Sequence, residues 1–194
     1  IDARTFGTLV HEALEKYAGN VKKALMQAAY DNNLQDYDLS EAEKMLEEYL
    51  QSSLYPGLEA KQLHETGFTL PVLAKYGINA QCYGFIDNII YNSDGSSSII
   101  DYKTGHVPDA LPKGYKYQLA LYKLAAEEMF NLPVKSAELH FLRGCVSFEL
   151  PADFNPEEIA AELQSIFAKT DEREFTCSTA YCHSCPYAYF CKKI

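Results

Sequence analysis

The sequence predicts an α/β fold in which helices flank a central mixed β-sheet, and three observations support this prediction. Apolar residues recur at helical spacing near the N-terminus. Runs rich in aromatic and β-branched residues then surround a hairpin turn, and a helix, two short strands and a last helix follow. Because a helix and a sheet each bury one apolar face, this order favours helices packed on one sheet.

The first part of the chain is predicted to be helical. Residues 4–33 carry an apolar stripe at helical spacing, made of Phe6, Leu9, Val10, Ala13, Leu14 and Tyr17. A second helix is expected over residues 40–54, opened by a capping box in which Glu43 follows Ser40 by three residues. Pro56-Gly57 is expected to end it.

The middle of the chain is predicted to form a β-meander. An extended pattern runs over residues 63–76, and residues 78–91 form a strand after the break at Gly77. The segment Asn92-Ser93-Asp94-Gly95-Ser96 is typical of a hairpin turn. Residues 97–103 are the expected return strand.

The last part alternates between helix and strand. A helix is expected over residues 113–130, followed by short strands at 135–142 and 145–150. A final helix is expected to start near Asn155 and to end near residue 170. Together the elements fit one domain over residues 1–194, which we expect to be the C-terminal part of a larger protein.

Composition limits the classes of function. The net charge of −10 argues against a protein that coats nucleic acid by charge alone, but carboxylates that bind a divalent metal are compatible with it. No apolar run approaches the roughly 20 residues that span a bilayer, and no export signal is recognisable. These features predict a cytoplasmic protein without a membrane partner.

Two acidic positions and a lysine form the central candidate site. Gly84-Phe85-Ile86-Asp87 is followed fourteen residues later by Asp101-Tyr102-Lys103. Residues two apart in a strand share a face, so Asp101 and Lys103 should project together. Carboxylates that hold Mg²⁺ or Mn²⁺ beside a lysine suit phosphodiester hydrolysis. Alone, an Asp-x-Lys pattern is more often a surface ion pair.

The length of the hairpin loop provides a test of this site. A two-residue turn at Asp94-Gly95 would set Asp87 opposite Tyr102 and send Asp87 and Asp101 to opposite faces. A shared metal site therefore requires an odd-length loop or a β-bulge between the two strands.

Three further side chains are candidates for the same cleft. His11 lies at the edge of the first apolar stripe, one turn after Gly7, which we expect to leave open space beside the imidazole. Gln118 and Tyr122 lie four residues apart on one helix face. The Gln118 amide needs a partner, either in the core or in the cleft, and the pattern favours neither.

In their order along the chain, these motifs resemble the RecB-like nucleases of the PD-(D/E)xK superfamily, in particular the nuclease domains of AddB and RecB helicase–nucleases. The motifs are Gly7-Thr8-Leu9-Val10-His11, Gly84-Phe85-Ile86-Asp87, Asp101-Tyr102-Lys103-Thr104-Gly105 and Gln118-Leu119-Ala120-Leu121-Tyr122. The resemblance extends over residues 5–191. It implies a restriction-endonuclease-like core and a metal-dependent deoxyribonuclease.

The resemblance also implies roles for single residues. His11, Asp87 and Asp101 would bind the metal, Asp87, Asp101 and Lys103 would be catalytic, and Gln118 and Tyr122 would contact DNA. Glu65, just before the first core strand, matches an additional acidic position less closely. The implied partners are DNA and a helicase subunit or domain, and the implied process is recombinational double-strand break repair.

Four cysteines crowd the C-terminal tail as Cys177-x4-Cys182-x2-Cys185-x5-Cys191. Without an export signal, clustered thiols indicate a metal more than disulfides. The last three match the triplet that holds a 4Fe-4S cluster in AddB-like nucleases, whose fourth cysteine precedes the core. No cysteine precedes Cys82 here, so Cys177 is the candidate substitute. Four thiolates also suit zinc, and free thiols are the third alternative.

Two other functions remain open at this point. One is a catalytically silent nuclease fold that binds DNA or acts as a scaffold, although Asp87, Asp101 and Lys103 are all present. The other is a cysteine-rich zinc module, which explains only the tail.

Overall fold

A computed structural model describes residues 1–70, 77, 81–155 and 157–171. The chain divides into two compact units, Ile1–Pro156 and Glu157–Ile194. The first unit contains a five-stranded mixed sheet and the helices that flank it, as the sequence predicts. Of the second unit, the helix α5 (Glu157–Asp171) is described. No helix of the described part of the chain is long and apolar enough to cross a membrane.

The strands follow one another across the sheet in chain order. They are β1 (Gln62–Leu70), β2 (Cys82–Tyr91), β3 (Ser97–Lys103), β4 (Val134–Phe141) and β5 (Val146–Glu149). β1, β2 and β3 form an antiparallel meander, β4 pairs parallel to β3, and β5 pairs antiparallel to β4. The expected extension of the first two strands over residues 71–76 and 78–80 lies outside the described residues.

Four helices belong to the first unit: α1 (Ala3–Glu15), α2 (Val21–Asp31), α3 (Ser40–Gln51) and α4 (Lys113–Met129). The prediction of continuous helix over residues 4–33 is therefore wrong. Gly19 has a φ of 90°, which breaks the helix, and the Asn20 side chain caps α2 by accepting from the Lys23 amide. The break lets α1 and α2 pack against each other, so both apolar faces enter the core.

The predicted capping box at the start of α3 is also wrong. The N-cap position is Leu39, which makes no side-chain cap bond. Asp38 accepts a hydrogen bond from the Ser40 amide instead, at 2.9 Å. The helix ends at Gln51, three residues before the predicted limit.

The helices cover both faces of β3. Ile100 and Tyr102 join a core cluster with α1, α2 and α3, in which Leu9, Val10 and Tyr49 are fully buried. Asp101 and Lys103 alternate with them and meet Gln118 of α4 instead. The helix α4 thus lies over the face that carries the candidate site.

The loop between β2 and β3 has an odd number of residues, as the sequence predicts. β2 ends at Tyr91, β3 begins at Ser97, and these two residues pair. The ladder ends at Asn88 and Ile100. If the same register continued for one more step, Asp87 and Asp101 would lie directly opposite each other and share a face.

Candidate active site

Asp87 lies where β2 and β3 separate. Beyond Asn88 and Ile100 the ladder stops, and the Tyr102 amide donates to the Asp87 carboxylate at 2.8 Å. The side chain thus takes the hydrogen bond that a backbone carbonyl would accept in a continued ladder. This bond fixes the carboxylate between the two strands.

Glu65 lies at the matching interruption on the other side of β2. His64 pairs with Asn88 and Thr66 with Ile86, but the pair between Glu65 and Asp87 is missing from the ladder. Glu65 has a φ of 45°, in the left-handed region that few residues other than glycine adopt. Glu65 therefore lies within the first strand, not just before it as the sequence suggested. In this conformation its carboxylate lies within 4.8 Å of a ligand atom of Asp87.

His11 reaches the same point from α1. The helix begins after Asp2, whose carboxylate accepts from the Arg4 and Thr5 amides. Two turns later, His11 Nδ1 lies 3.4 Å from Asp87 Oδ2. Gly7 and His11 line one cavity, as expected from the open space that the glycine leaves beside the imidazole, and a Cβ at Gly7 would be in ordinary contact with Thr104 Oγ1 at 3.5 Å.

Together, His11, Glu65 and Asp87 form what we call the metal-ligand group. Their ligand atoms all lie within 4.8 Å of one another, and no other set of three such residues occurs in the part of the chain that the structure describes. Ligands about 2.1 Å from an octahedral ion lie about 3.0 Å apart as neighbours. The group therefore fits a hard divalent cation after small side-chain adjustments. Carboxylate oxygens with one imidazole suit Mn²⁺ or Mg²⁺.

Asp101 and Lys103 form an ion pair that interacts electrostatically with His11 and Asp87 of this group. Lys103 Nζ lies 2.5 Å from Asp101 Oδ2, and the Asp101 side chain is 2% exposed. The same Oδ2 makes no well-aligned hydrogen bond within the described ranges. The Lys103 ammonium in contact with this oxygen offsets part of the cost of burying the carboxylate. Asp101, the third predicted metal ligand, thus contacts Lys103.

Gln118 holds this pair from α4. Its amide nitrogen donates to Asp101 Oδ1 at 2.9 Å and to the Tyr122 hydroxyl at 2.8 Å. Its carbonyl oxygen accepts from Lys103 Nζ at 3.3 Å. The sequence left two environments open for the Gln118 amide, the core and the cleft, and in the structure it lies in the cleft. Its contact with DNA remains a proposal, while its contact with both candidate catalytic groups is observed.

Burial changes the pKa values of three side chains in the site. Desolvation raises the pKa of the Asp87 carboxyl, although the Tyr102 amide and Lys103 act against it. Desolvation also raises the pKa of Asp101, with Asp87 adding to the effect and Lys103 opposing it. Burial lowers the pKa of His11, so its imidazole is neutral and can act as a ligand. Ionised carboxylates are thus disfavoured here until a cation is present.

The surroundings differ in charge on the two sides of His11. One side, which we call the acidic pocket, is lined by Glu12, Glu15, Lys16, Asp31, Glu65 and Asp87 among others. The other side is lined by Arg4, Lys103, His106 and Tyr115 among others. His11 and Thr8 border both. A cation is attracted to the first side and a phosphate to the second.

The sequence did not predict a set of hydrogen bonds that lies next to the site. On the α1–α3 face of β3, the Tyr102 hydroxyl accepts from Asn88 at 3.0 Å, and Asn88 also donates to Gln62 at 2.8 Å. Tyr49 and His140 share a buried hydrogen bond of 2.9 Å nearby. The pairing of such distant residues leaves no local pattern that would have predicted it.

Glu65→Asn should separate stability from metal binding. Asparagine tolerates positive φ better than glutamate, and the substitution removes a negative charge beside Asp87. We expect the free energy of unfolding of the metal-free protein to rise by about 0.5–1 kcal/mol. We expect Mn²⁺ affinity to fall at least about tenfold.

Chemical denaturation with EDTA and Mn²⁺ titration calorimetry check both parts of this prediction. Glu65→Gln is the control, because it removes the charge and keeps the strained side-chain type. A less stable Glu65→Asn with unchanged Mn²⁺ affinity would contradict the assignment of Glu65 to the metal-ligand group.

Comparison with known proteins gives an independent result. The family model described as "PD-(D/E)XK nuclease superfamily" matches residues 1–192. A protein of Moorella thermoacetica, named as an ATP-dependent helicase/nuclease subunit, is 34% identical over 97 residues, which are 50% of this chain. The aligned segment is 6% of the length of that relative.

A solved structure also aligns with the chain. It is titled "Crystal structure of SSO0001", shares 20% sequence identity and has a TM-score of 0.47. The alignment covers 96% of this chain and 84% of that chain. The match of the family model over residues 1–192 establishes the family: this chain belongs to the PD-(D/E)XK nuclease superfamily.

Proposed function

We propose that this chain is a divalent-metal-dependent deoxyribonuclease domain that hydrolyses phosphodiester bonds at DNA ends as an exonuclease. The observation that carries the proposal is the convergence of the metal-ligand group with the Asp101–Lys103 pair. Side chains from α1, β1, β2 and β3 supply these groups at neighbouring positions. Structural ion pairs alone do not require a strained Glu65 or two buried carboxylates with raised pKa.

Each residue of the site would have its own role in hydrolysis. His11, Glu65 and Asp87 would hold Mg²⁺ or Mn²⁺, with Asp101 as a further ligand. The metal, when bound, would supply a Lewis acid and promote ionisation of the attacking water. Lys103 would donate to a phosphate oxygen or orient the water, and Gln118 keeps the lysine in position. Tyr102 contributes its amide, which orients Asp87.

Protons should compete with the metal at this site. Because the pKa of both Asp87 and Asp101 is raised, each carboxyl gains a proton at a higher pH than usual. Metal affinity is therefore full above the raised pKa values and falls as pH drops through them. We expect Mn²⁺ affinity to fall at least about tenfold per pH unit in that window. Mn²⁺ titrations between about pH 8 and pH 5 check this, and a pH-independent affinity would contradict it.

A degradation assay tests the proposed activity. The 194-residue chain is incubated with end-labelled linear DNA, closed circular DNA, and Mn²⁺, Mg²⁺ or EDTA. We expect metal-dependent loss of the linear DNA only, and no activity of Asp101→Ala. Equal cutting of circular DNA would contradict an exonuclease. Equal residual cutting by wild type and Asp101→Ala would indicate contamination and favour the silent DNA-binding or scaffolding module.

The wider context is part of the same proposal. The similarity to a helicase/nuclease subunit supports a helicase subunit or domain as partner, and a role in recombinational double-strand break repair in the cytoplasm. We further propose that residues 1–194 act as one nuclease domain, AddB-like in its tail.

Cys177, Cys182, Cys185 and Cys191 lie outside the described residues, and their 4Fe-4S or zinc ligation remains a proposal. Assays for iron, sulfide and zinc on protein purified under reducing conditions test it. The absence of all three would contradict it for this chain.

A further inference from the structure

Two aromatic rings of β2 are unusually exposed. Tyr83 is 82% exposed and Phe85 is 61% exposed, although large rings are normally buried. Exposed apolar side chains that lie next to each other beside a candidate active site are candidates for a binding surface. We call these two residues the aromatic pair.

The aromatic pair continues the line of the metal-ligand group. Phe85 lies two residues before Asp87 and Tyr83 four residues before it, so the three belong to one face of the strand. Their partners on β1 are Gly67 and Thr69, which are also exposed. With a rise of about 3.3 Å per residue, neighbouring side chains on this face are about 7 Å apart. That spacing admits one flat base between them, since stacked bases are about 3.4 Å apart.

Gly67 supports the Phe85 ring from the neighbouring strand. A Cβ at Gly67 would lie 3.2 Å from Phe85 Cε1, so the ring lies close over the glycine. This contact restricts the ring without burying it. A ring that is held in place loses little entropy when a ligand stacks on it.

The exposed rings select among ligands. The bases of a duplex are paired and stacked on one another, so their faces are closed to a protein ring, whereas unpaired bases can stack on aromatic side chains. Arg4 and Lys103 line the cavity on the other side of His11 and provide positive charge for the phosphates of such a strand. We therefore propose that Tyr83 and Phe85 stack the bases of a single-stranded DNA segment whose backbone passes the metal-ligand group, an inference that rests on the proposed function.

Fluorescence anisotropy with a labelled single-stranded oligonucleotide tests this inference, using the full chain and Ca²⁺ in place of Mn²⁺. We expect Tyr83→Ala and Phe85→Ala each to weaken binding about tenfold. Phe85→Tyr should retain affinity, because it keeps the ring, whereas Phe85→Leu should lose as much as the alanine variant. Tyr30→Ala is the matched control, since Tyr30 is 65% exposed on α2 and should not matter. A blunt duplex should bind more weakly and equally to all variants.

Three results would overturn the inference. They are unchanged single-strand affinity of the Tyr83→Ala, Phe85→Ala double variant, full affinity of Phe85→Leu, and an equal loss of duplex binding. Full affinity of Phe85→Leu would indicate an apolar surface for a protein partner. If wild type cuts DNA while the double variant binds normally, only this inference fails. If wild type neither binds nor cuts DNA, the proposed function fails as well.

Discussion

Asp87→Asn should abolish Mn²⁺ binding at the site and lower the cleavage rate by about a thousandfold or more. Asp87 is the central residue of the metal-ligand group, with His11 Nδ1 at 3.4 Å and the Tyr102 amide at 2.8 Å. The asparagine carbonyl can still accept from Tyr102, so the local geometry is preserved while the charge is lost. Calorimetric Mn²⁺ titration and initial rates on labelled linear DNA measure the two effects.

The fold should survive this substitution. The raised pKa of Asp87 means that its ionised form is disfavoured in the folded, metal-free protein. Removing the charge therefore should not lower the melting temperature in EDTA. Asp31→Asn is the matched control, because Asp31 lines the same acidic pocket but is exposed and paired with Lys16 at 3.4 Å. Similar losses in the two variants would show that general pocket charge, and not a ligand, is responsible.

Lys103→Met should lower the cleavage rate by about a hundredfold to a thousandfold without weakening Mn²⁺ binding. Lys103 is not a metal ligand, and its ammonium competes with a cation for Asp101 Oδ2. We therefore expect Mn²⁺ affinity to stay equal or to increase. This combination distinguishes a catalytic lysine from a residue that only completes the metal site.

The stability of the metal-free Lys103→Met variant should fall, although its Mn²⁺ affinity should not. Without Lys103, the buried Asp101 carboxylate loses its ion-pair partner, which typically costs about 3–5 kcal/mol unless the carboxyl takes up a proton. We expect a lower melting temperature in EDTA that Mn²⁺ restores. Lys135→Met is the control, since the Lys135 pair with Asp94 is exposed. A loss of Mn²⁺ affinity in Lys103→Met would contradict this division of roles.

Local sequence pattern was sufficient for most of the fold. The period-two and period-3.6 patterns depend on neighbouring residues only, so they predicted the strand Ser97–Lys103 and placed the end of α4 within one residue. The pattern failed where one apolar stripe continued through Gly19 across two helices. It failed again at α3, where Asp38 replaced the expected Ser40 cap.

The order of the motifs indicated the nuclease family and the residues worth examining, and the odd hairpin loop could be required from register alone. The way in which these residues group around the site could not be predicted from the sequence. Glu65, the weakest candidate in the sequence, lies within the metal-ligand group, while Asp101 faces Lys103 and Gln118. Five separate elements supply these side chains. The distances between them depend on sheet twist and helix packing, which arise from contacts between residues far apart in the chain. Only the folded chain brings those residues together.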